Sequence, residues 1–177
     1  MNEVVKNIIR FILFILVQQF VLNQIPMLHQ FITPYIYFLF ILWLPFNINR
    51  IVLMLLAFAL GLTLDYFTHT PGLHAASCVL VAFLRSHILH LLVPQEKIEQ
   101  SFSDPSAKSM GFVQYGIYVV LLTFAHHFYL VLIEWLQFGN FIYFITKVMA
   151  TTAVSLLLIL IAEMLFARKA RYKTNTE

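Results

Sequence analysis

The chain contains few charged residues, one cysteine and five glycines. The scarcity of charge and of cysteine restricts the class of protein to which it can belong. Only 11% of its 177 residues are charged, whereas about 25% is usual in a soluble domain. The hydrophobic fraction is 61% and the mean hydropathy is +0.85, so we expect most of the surface to face lipid. Cys78 is the single cysteine, so no intrachain disulfide can form and cysteine usage does not indicate the redox compartment.

The sequence also lacks the motifs of common enzyme classes. It contains no His-Glu-x-x-His metal motif, no Gly-x-Ser-x-Gly nucleophile, no P-loop and no multi-cysteine site. The formal net charge is +3, but the basic residues lie at the ends of apolar runs rather than in a stripe with exposed aromatic residues. We therefore predict a protein that is not an enzyme, needs no cofactor and does not bind nucleic acid.

What the sequence has in abundance is long apolar runs. A helix needs about 20 apolar residues to cross a bilayer, so residues 1–177 have room for a single transmembrane domain. The predicted fold is an all-α, polytopic membrane helical bundle of about six transmembrane helices. Its candidate spans are residues 8–22, 33–46, 51–67, 73–93, 112–134 and 141–166.

The second of these spans is the least regular. The pair Thr33-Pro34 favours a helix start, because threonine can cap a helix and proline fits its first position. The stretch 23–33 before it contains Pro26 and no charge, so it could be re-entrant or interfacial. Five to seven crossings are compatible with this pattern.

Basic residues are distributed unequally between the two sides of a six-span arrangement. Of the 11 Lys and Arg residues, only Lys147 falls on the side away from the termini. This asymmetry predicts that both termini are cytoplasmic, and it favours an even number of spans. The polar loop at about 94–111 is then a solvated cytoplasmic connection or a docking segment, and the basic tail at about 167–177 is attracted to anionic membrane lipids.

Ionisable residues within the spans are few, and each costs about 2.5 to 3.5 kcal/mol to insert. Asp65 lies near the end of the third span, before a sequence in which Pro followed by Gly favours a type II turn. Four residues of this predicted turn are candidate site residues: Thr70, Pro71, Gly72 and His74. We interpret Asp65 as an acceptor for backbone amides of the turn; the alternative is a metal site formed with His69 and His74.

Two further polar groups are predicted within the spans. Arg85 and Glu163 lie at comparable depth near the cytoplasmic side and are expected to pair, either structurally or as a ligand site. His127 and Glu134 share one helix face, and Lys147 of the next span lies between their levels. We interpret these three as an outer-leaflet cluster that joins two helices; a proton relay is the alternative.

Small and amide side chains predict close contacts between helices. Gln18, Gln19 and Asn23 are expected to form hydrogen bonds between helices. Ala57 and Gly61 form a small-xxx-small pair in the third span, which predicts a close approach to a neighbouring helix.

Several stretches together have the pattern of a known family. They are the polar first span, Thr33-Pro34-Tyr35-Ile36-Tyr37, Gly61-Leu62-Thr63-Leu64-Asp65, Thr70-Pro71-Gly72-Leu73-His74-Ala75-Ala76 and Ala82-Phe83-Leu84-Arg85, together with His126-His127 and Glu163. Over nearly the whole chain, this pattern resembles the rod shape-determining protein MreD family.

The resemblance implies a non-enzymatic scaffold of the cell-wall elongation machinery in the bacterial cytoplasmic (inner) membrane. Such a protein pairs with an MreC-like single-span protein and connects MreB filaments, indirectly, to a glycosyltransferase and a transpeptidase. The family also resembles, in predicted fold, the substrate-binding subunits of energy-coupling-factor type vitamin transporters. The alternative function is therefore a transport subunit with Asp65, His69 and His74 in its pocket, and an intramembrane enzyme is a distant third.

Overall fold

The described residues form five long helices, and a buried irregular segment lies between the first and the second of them. The computed structural model describes residues 3–25, 32–94, 104–138 and 140–166, and no strand occurs among them. The long helices are α1 (Glu3–Val17, continued by the π-helical turn Gln18–Leu22), α3 (Arg50–Thr68), α4 (Leu73–Leu92), α6 (Phe112–Phe138) and α7 (Phe141–Leu165). Two short helices lie between them, α2 (Leu39–Leu42) and α5 (Ala107–Met110). Five helices are long and apolar enough to cross a membrane, which confirms the all-helical class and five of the predicted runs.

Helices α3 and α4 form an antiparallel hairpin whose backbones meet at Gly61. A Cβ atom on Gly61 would lie 2.4 Å from the Cα atom of Ala75 and 2.5 Å from its backbone nitrogen. Ala57, one turn earlier on the same face, is completely buried. The predicted close contact of small residues is therefore present, and only glycine fits at position 61 without moving a helix.

The prediction of a second transmembrane helix at residues 33–46 is wrong. Residues 32–36 form no regular secondary structure, so the helix does not start at Thr33-Pro34, and the only helix of the segment is the short α2. Every side chain from Tyr35 to Leu44 is buried. Proline at 34 and at 45 confines any helix to about ten residues, half of what a membrane crossing requires.

Side chains of neighbouring helices take the place of the missing helical hydrogen bonds. The Tyr35 N–H donates to Ser155 Oγ at 3.2 Å, and the Ile36 N–H donates to Gln18 Oε1 at 3.0 Å. Gln18 Nε2 donates to the carbonyl oxygen of Pro34 at 3.0 Å. Because buried backbone groups must be paired, these contacts hold the irregular segment in the interior. Gln18 thus bridges to another part of the bundle, whereas Asn23 bonds to Gln18 and Gln19 within its own helical stretch.

The described parts of α1 and α7 meet at the same end of the bundle through Trp43. The Arg10 guanidinium lies 5.6 Å from the centroid of the Trp43 ring, and Trp43 Nε1 donates to Glu163 at 2.7 Å. Asp104 binds Lys6 Nζ at 3.2 Å and Arg10 Nη1 at 2.8 Å. We call this end, with Arg10, Trp43, Asp104 and Glu163, the terminal end, and the opposite end, with the α3–α4 turn, the turn end.

Some predicted features lie outside the described residues. These are residues 26–31 of the first connection, residues 95–103 of the polar loop and the basic tail from residue 167 onward. The described remainder of the polar loop packs against the bundle, with Asp104, Ser106 and Met110 buried. Ser106 starts α5 with a capping box to Ser109, and Asp104 just before it holds α1.

Candidate functional site

Asp65, near the end of α3, caps the first turn of α4. Its carboxylate accepts the backbone N–H groups of His74 at 2.8 Å, Ala75 at 3.0 Å and Gly72 at 3.1 Å. The Thr70 hydroxyl adds a fourth hydrogen bond at 3.3 Å. A helix start leaves such amides without partners, and its positive dipole end favours a carboxylate. The interpretation of Asp65 as an acceptor for backbone amides is confirmed.

The turn between α3 and α4 has the predicted type II form. The Leu73 N–H donates to the Thr70 carbonyl at 3.2 Å, and Gly72 has φ 87° and ψ −11°, a conformation that favours glycine. His69 ends α3 in the left-handed region, with an exposed side chain. Within the described part of the chain, no group of His, Cys, Asp and Glu could hold a metal ion, so the alternative metal site is not formed.

His74 belongs instead to a buried polar cluster around the Tyr37 hydroxyl. This hydroxyl lies 2.7 Å from His74 Nδ1 and 2.9 Å from His126 Nε2. A phenol has one proton to donate, so it donates to one ring and accepts an N–H from the other. Phe38 stacks on His126 with ring centroids 4.3 Å apart. The cluster fixes the buried segment between α4 and α6.

His127 links α6 to α7 and to the irregular segment. Its Nδ1 atom lies 2.7 Å from the Thr123 carbonyl oxygen, which can only accept, so Nδ1 carries a proton. In the neutral ring, Nε2 accepts from the Ser155 hydroxyl at 2.9 Å, and the Ser155 oxygen accepts the Tyr35 N–H. Both ring nitrogens are thus used, and the prediction that His127 joins Glu134 in one cluster is wrong.

Arg85 in α4 satisfies the carbonyl groups at the end of α2. It is the largest fully buried side chain among the described residues, with 1% exposed. Its Nη2 group donates to the carbonyls of Leu44 and, at 3.2 Å, Pro45. Its Nε atom donates at 3.1 Å to the Tyr118 hydroxyl, which itself donates to the Leu42 carbonyl at 3.0 Å. Carbonyls at a helix C-terminus lack partners within the helix, and a cation there also complements the helix dipole.

The predicted pair between Arg85 and Glu163 is wrong. Arg85 has no carboxylate partner among the residues that the structure describes; its Nη2 group donates to two carbonyls and its Nε atom to the Tyr118 hydroxyl. Glu163 accepts the Trp43 indole N–H at 2.7 Å and the Tyr115 hydroxyl. The pair is predicted because both residues lie at a similar depth in their spans. The actual acceptors of Arg85 are backbone carbonyls that Pro45 leaves without helical partners.

Glu134 of α6 and Lys147 of α7 form an ion pair near the turn end, as predicted for these two residues. The Lys147 ammonium also lies 5.8 Å from the centroid of the Tyr143 ring. The Glu134 side chain is 27% exposed and that of Lys147 is 12% exposed. The pair therefore joins two helices and remains partly open to its surroundings.

A cavity of about 850 Å³ lies beside this ion pair. Ligand pockets commonly measure about 300 to 1,000 Å³. The residues on its wall that carry polar side-chain groups are His69, Thr70, Glu134, Trp135, Asn140, Tyr143 and Lys147. A second cavity, of about 350 Å³, shares Thr70, Leu73 and Glu134 with the first, so Glu134 borders both.

Sequence reasoning missed several residues that hold this interior together. They are Tyr37, Trp43, Tyr118 and Ser155. Each carries a hydroxyl or indole N–H inside an apolar run. Such donors need partners inside a membrane helical bundle, and this is the signal that could have identified them.

No protein-family model matches the chain, and no match is found among curated proteins or solved structures. The class of the protein therefore rests on its own geometry. The part of the chain that the structure describes is all-helical and contains five helices long and apolar enough to cross a membrane, which is consistent with a multi-pass membrane protein.

Proposed function

We propose that the protein is a membrane scaffold of the MreD type, which serves the cell-wall elongation machinery of a rod-shaped bacterium. In this proposal it pairs with an MreC-like single-span protein and, through it, with the glycosyltransferase, the transpeptidase and MreB filaments. It performs no chemistry itself. The helices in the cytoplasmic membrane are the surface that holds the partners.

The proposal rests on the contacts that buried residues make within the stretches that resemble MreD. Asp65 binds backbone amides of α4, and Arg85 binds carbonyls that follow α2. Gly61 permits the contact between α3 and α4. These residues set the shape of the bundle, and this is the role expected of the key residues in a scaffold.

The outer face of α3 offers a surface on which a partner helix could pack. Five large side chains at helical spacing are exposed on it: Ile51, Leu55, Phe58, Leu62 and Tyr66. These positions follow one stripe of the helix. Helices associate in a bilayer through van der Waals packing and hydrogen bonds, so a single-span protein is a suitable partner for this stripe.

The proposed topology has six crossings with both termini in the cytoplasm. The buried segment from residue 32 to 49 counts as one crossing, because it leads from Gln18 in α1 to Trp43 at the terminal end. Lys6 and Arg10 lie at that end, whereas Lys147 lies at the other. This distribution of positive charge supports a cytoplasmic terminal end.

Depletion of the protein in its native bacterium tests the function. We expect rod-shaped cells to become round or to lyse, because wall synthesis loses its organisation along the cell length. Re-expression of the wild-type chain should restore rods. Cells that keep their shape and their pattern of wall insertion after depletion would contradict the proposal.

A second candidate function is favoured by the cavity beside Glu134 and Lys147. A vitamin-binding subunit of an energy-coupling-factor type transporter would need such a pocket near one membrane surface. Its polar residues would be Glu134 and Lys147 rather than Asp65, whose oxygens bind the α4 backbone. Loss of vitamin uptake with unaltered cell shape on depletion would support this candidate over the scaffold.

A further inference from the structure

The cavity at the turn end combines features that a structural ion pair alone does not require. It measures about 850 Å³ and is bordered by Glu134 and Lys147, which are both partly exposed. Leu73, Val131 and Ile133 form an apolar part of the same wall. A polar group and an apolar group of one ligand can therefore be accommodated together.

The charges of the wall decide which polar group fits. Glu134 and Lys147 already neutralise each other, so an anion placed beside Lys147 meets the carboxylate of Glu134 as well. A cation meets the ammonium of Lys147 in the same way. A zwitterion places its ammonium against Glu134 and its anionic group against Lys147, so that opposite charges alternate around the cavity.

We propose that this cavity binds the zwitterionic head of a small amphiphile, with an ammonium at Glu134 and a phosphate or carboxylate at Lys147. The position suits a membrane lipid, because the turns at the ends of the helices are where headgroups lie. An aminophospholipid and a free small zwitterion share this chemistry. The inference goes beyond the scaffold function and does not depend on it.

The test is native mass spectrometry of the purified full-length chain with short-chain phosphatidylethanolamine or phosphatidylglycerol of the same acyl length. We expect phosphatidylethanolamine to bind at least about tenfold more tightly, since the anionic head lacks the ammonium group that pairs with Glu134. Equal binding of the two lipids would overturn the proposal, and this comparison requires no variant.

Variants then locate the site. Glu134→Gln and Lys147→Met should each weaken phosphatidylethanolamine binding at least about tenfold, whereas Arg50→Gln, which removes a charge at the other end of α3, should leave it unchanged. If a single variant cannot be purified folded, the double variant E134Q/K147M is used, because removing both partners of an ion pair is often tolerated. Unchanged binding by these variants would refute the site.

Free phosphoethanolamine distinguishes the two sources. If it displaces the lipid at comparable concentration, the head alone is recognised and a free zwitterion is the ligand. If it does not, the acyl chains contribute and the ligand is a membrane lipid. Both results support the zwitterion site, and loss of all selectivity between phosphatidylethanolamine and phosphatidylglycerol contradicts it.

Discussion

Substitution of Gly61 by alanine should separate helices α3 and α4. The new Cβ atom would lie 2.4 Å from the Ala75 backbone, whereas ordinary contact begins at 3.4 Å. One helix must therefore move by about 1 Å, and such overpacking costs about 1 to 3 kcal/mol. The gain of about 0.5 to 1 kcal/mol that alanine brings to a helix offsets only part of this cost.

The melting temperature of the purified protein in detergent measures this effect. After that gain is subtracted, the net loss of about 0 to 2.5 kcal/mol corresponds to a decrease of up to about 10 °C for a chain of this size. Gly116→Ala in α6 is the matched control, because a Cβ atom there meets nothing within 4 Å. The control should melt at the wild-type temperature or higher, and equal melting of Gly61→Ala and Gly116→Ala would refute the close contact.

Three further substitutions test the interior, each by the same melting measurement. Asp65→Asn weakens the charge-assisted hydrogen bonds to the α4 amides and should cost about 1.5 to 3 kcal/mol; wild-type melting would show that the charge is unimportant. Arg85→Lys lacks the planar fork that reaches two carbonyls and Tyr118, so it should melt lower than Tyr118→Phe, and the reverse order would contradict this network. Ser155→Ala leaves the Tyr35 N–H without its acceptor and should cost about 1 to 3 kcal/mol, whereas no change would indicate another partner.

The features that sequence analysis predicted correctly depend on local pattern. The apolar runs of the five long helices are continuous, and their lengths match a membrane crossing. The turn between α3 and α4 is specified by Pro71 and Gly72, which follow Asp65 closely enough for its carboxylate to reach the next helix start. Glu134 and Lys147 could be paired because they lie on consecutive antiparallel helices.

The features that it missed depend on partners distant in the chain. The segment at 33–46 is apolar enough for a helix, but Gln18 and Ser155 supply hydrogen bonds that stabilise an irregular backbone. The hydrophobic periodicity of the segment does not indicate that Gln18 and Ser155 bind its backbone. The comparable depth of Arg85 and Glu163 likewise predicts a pair, whereas the nearby acceptors of Arg85 are carbonyls of a helix end.

In the proposed function, the protein acts by holding partners in the membrane. Affinity purification of the tagged full-length chain from membranes of its native bacterium, with mass spectrometry of the retained proteins, tests it most directly. We predict recovery of an MreC-like single-span protein together with cell-wall synthases, and reduced recovery when Gly61→Ala disturbs the bundle. Recovery of an ATPase module in place of those proteins, with no cell-wall component retained, would contradict the scaffold function.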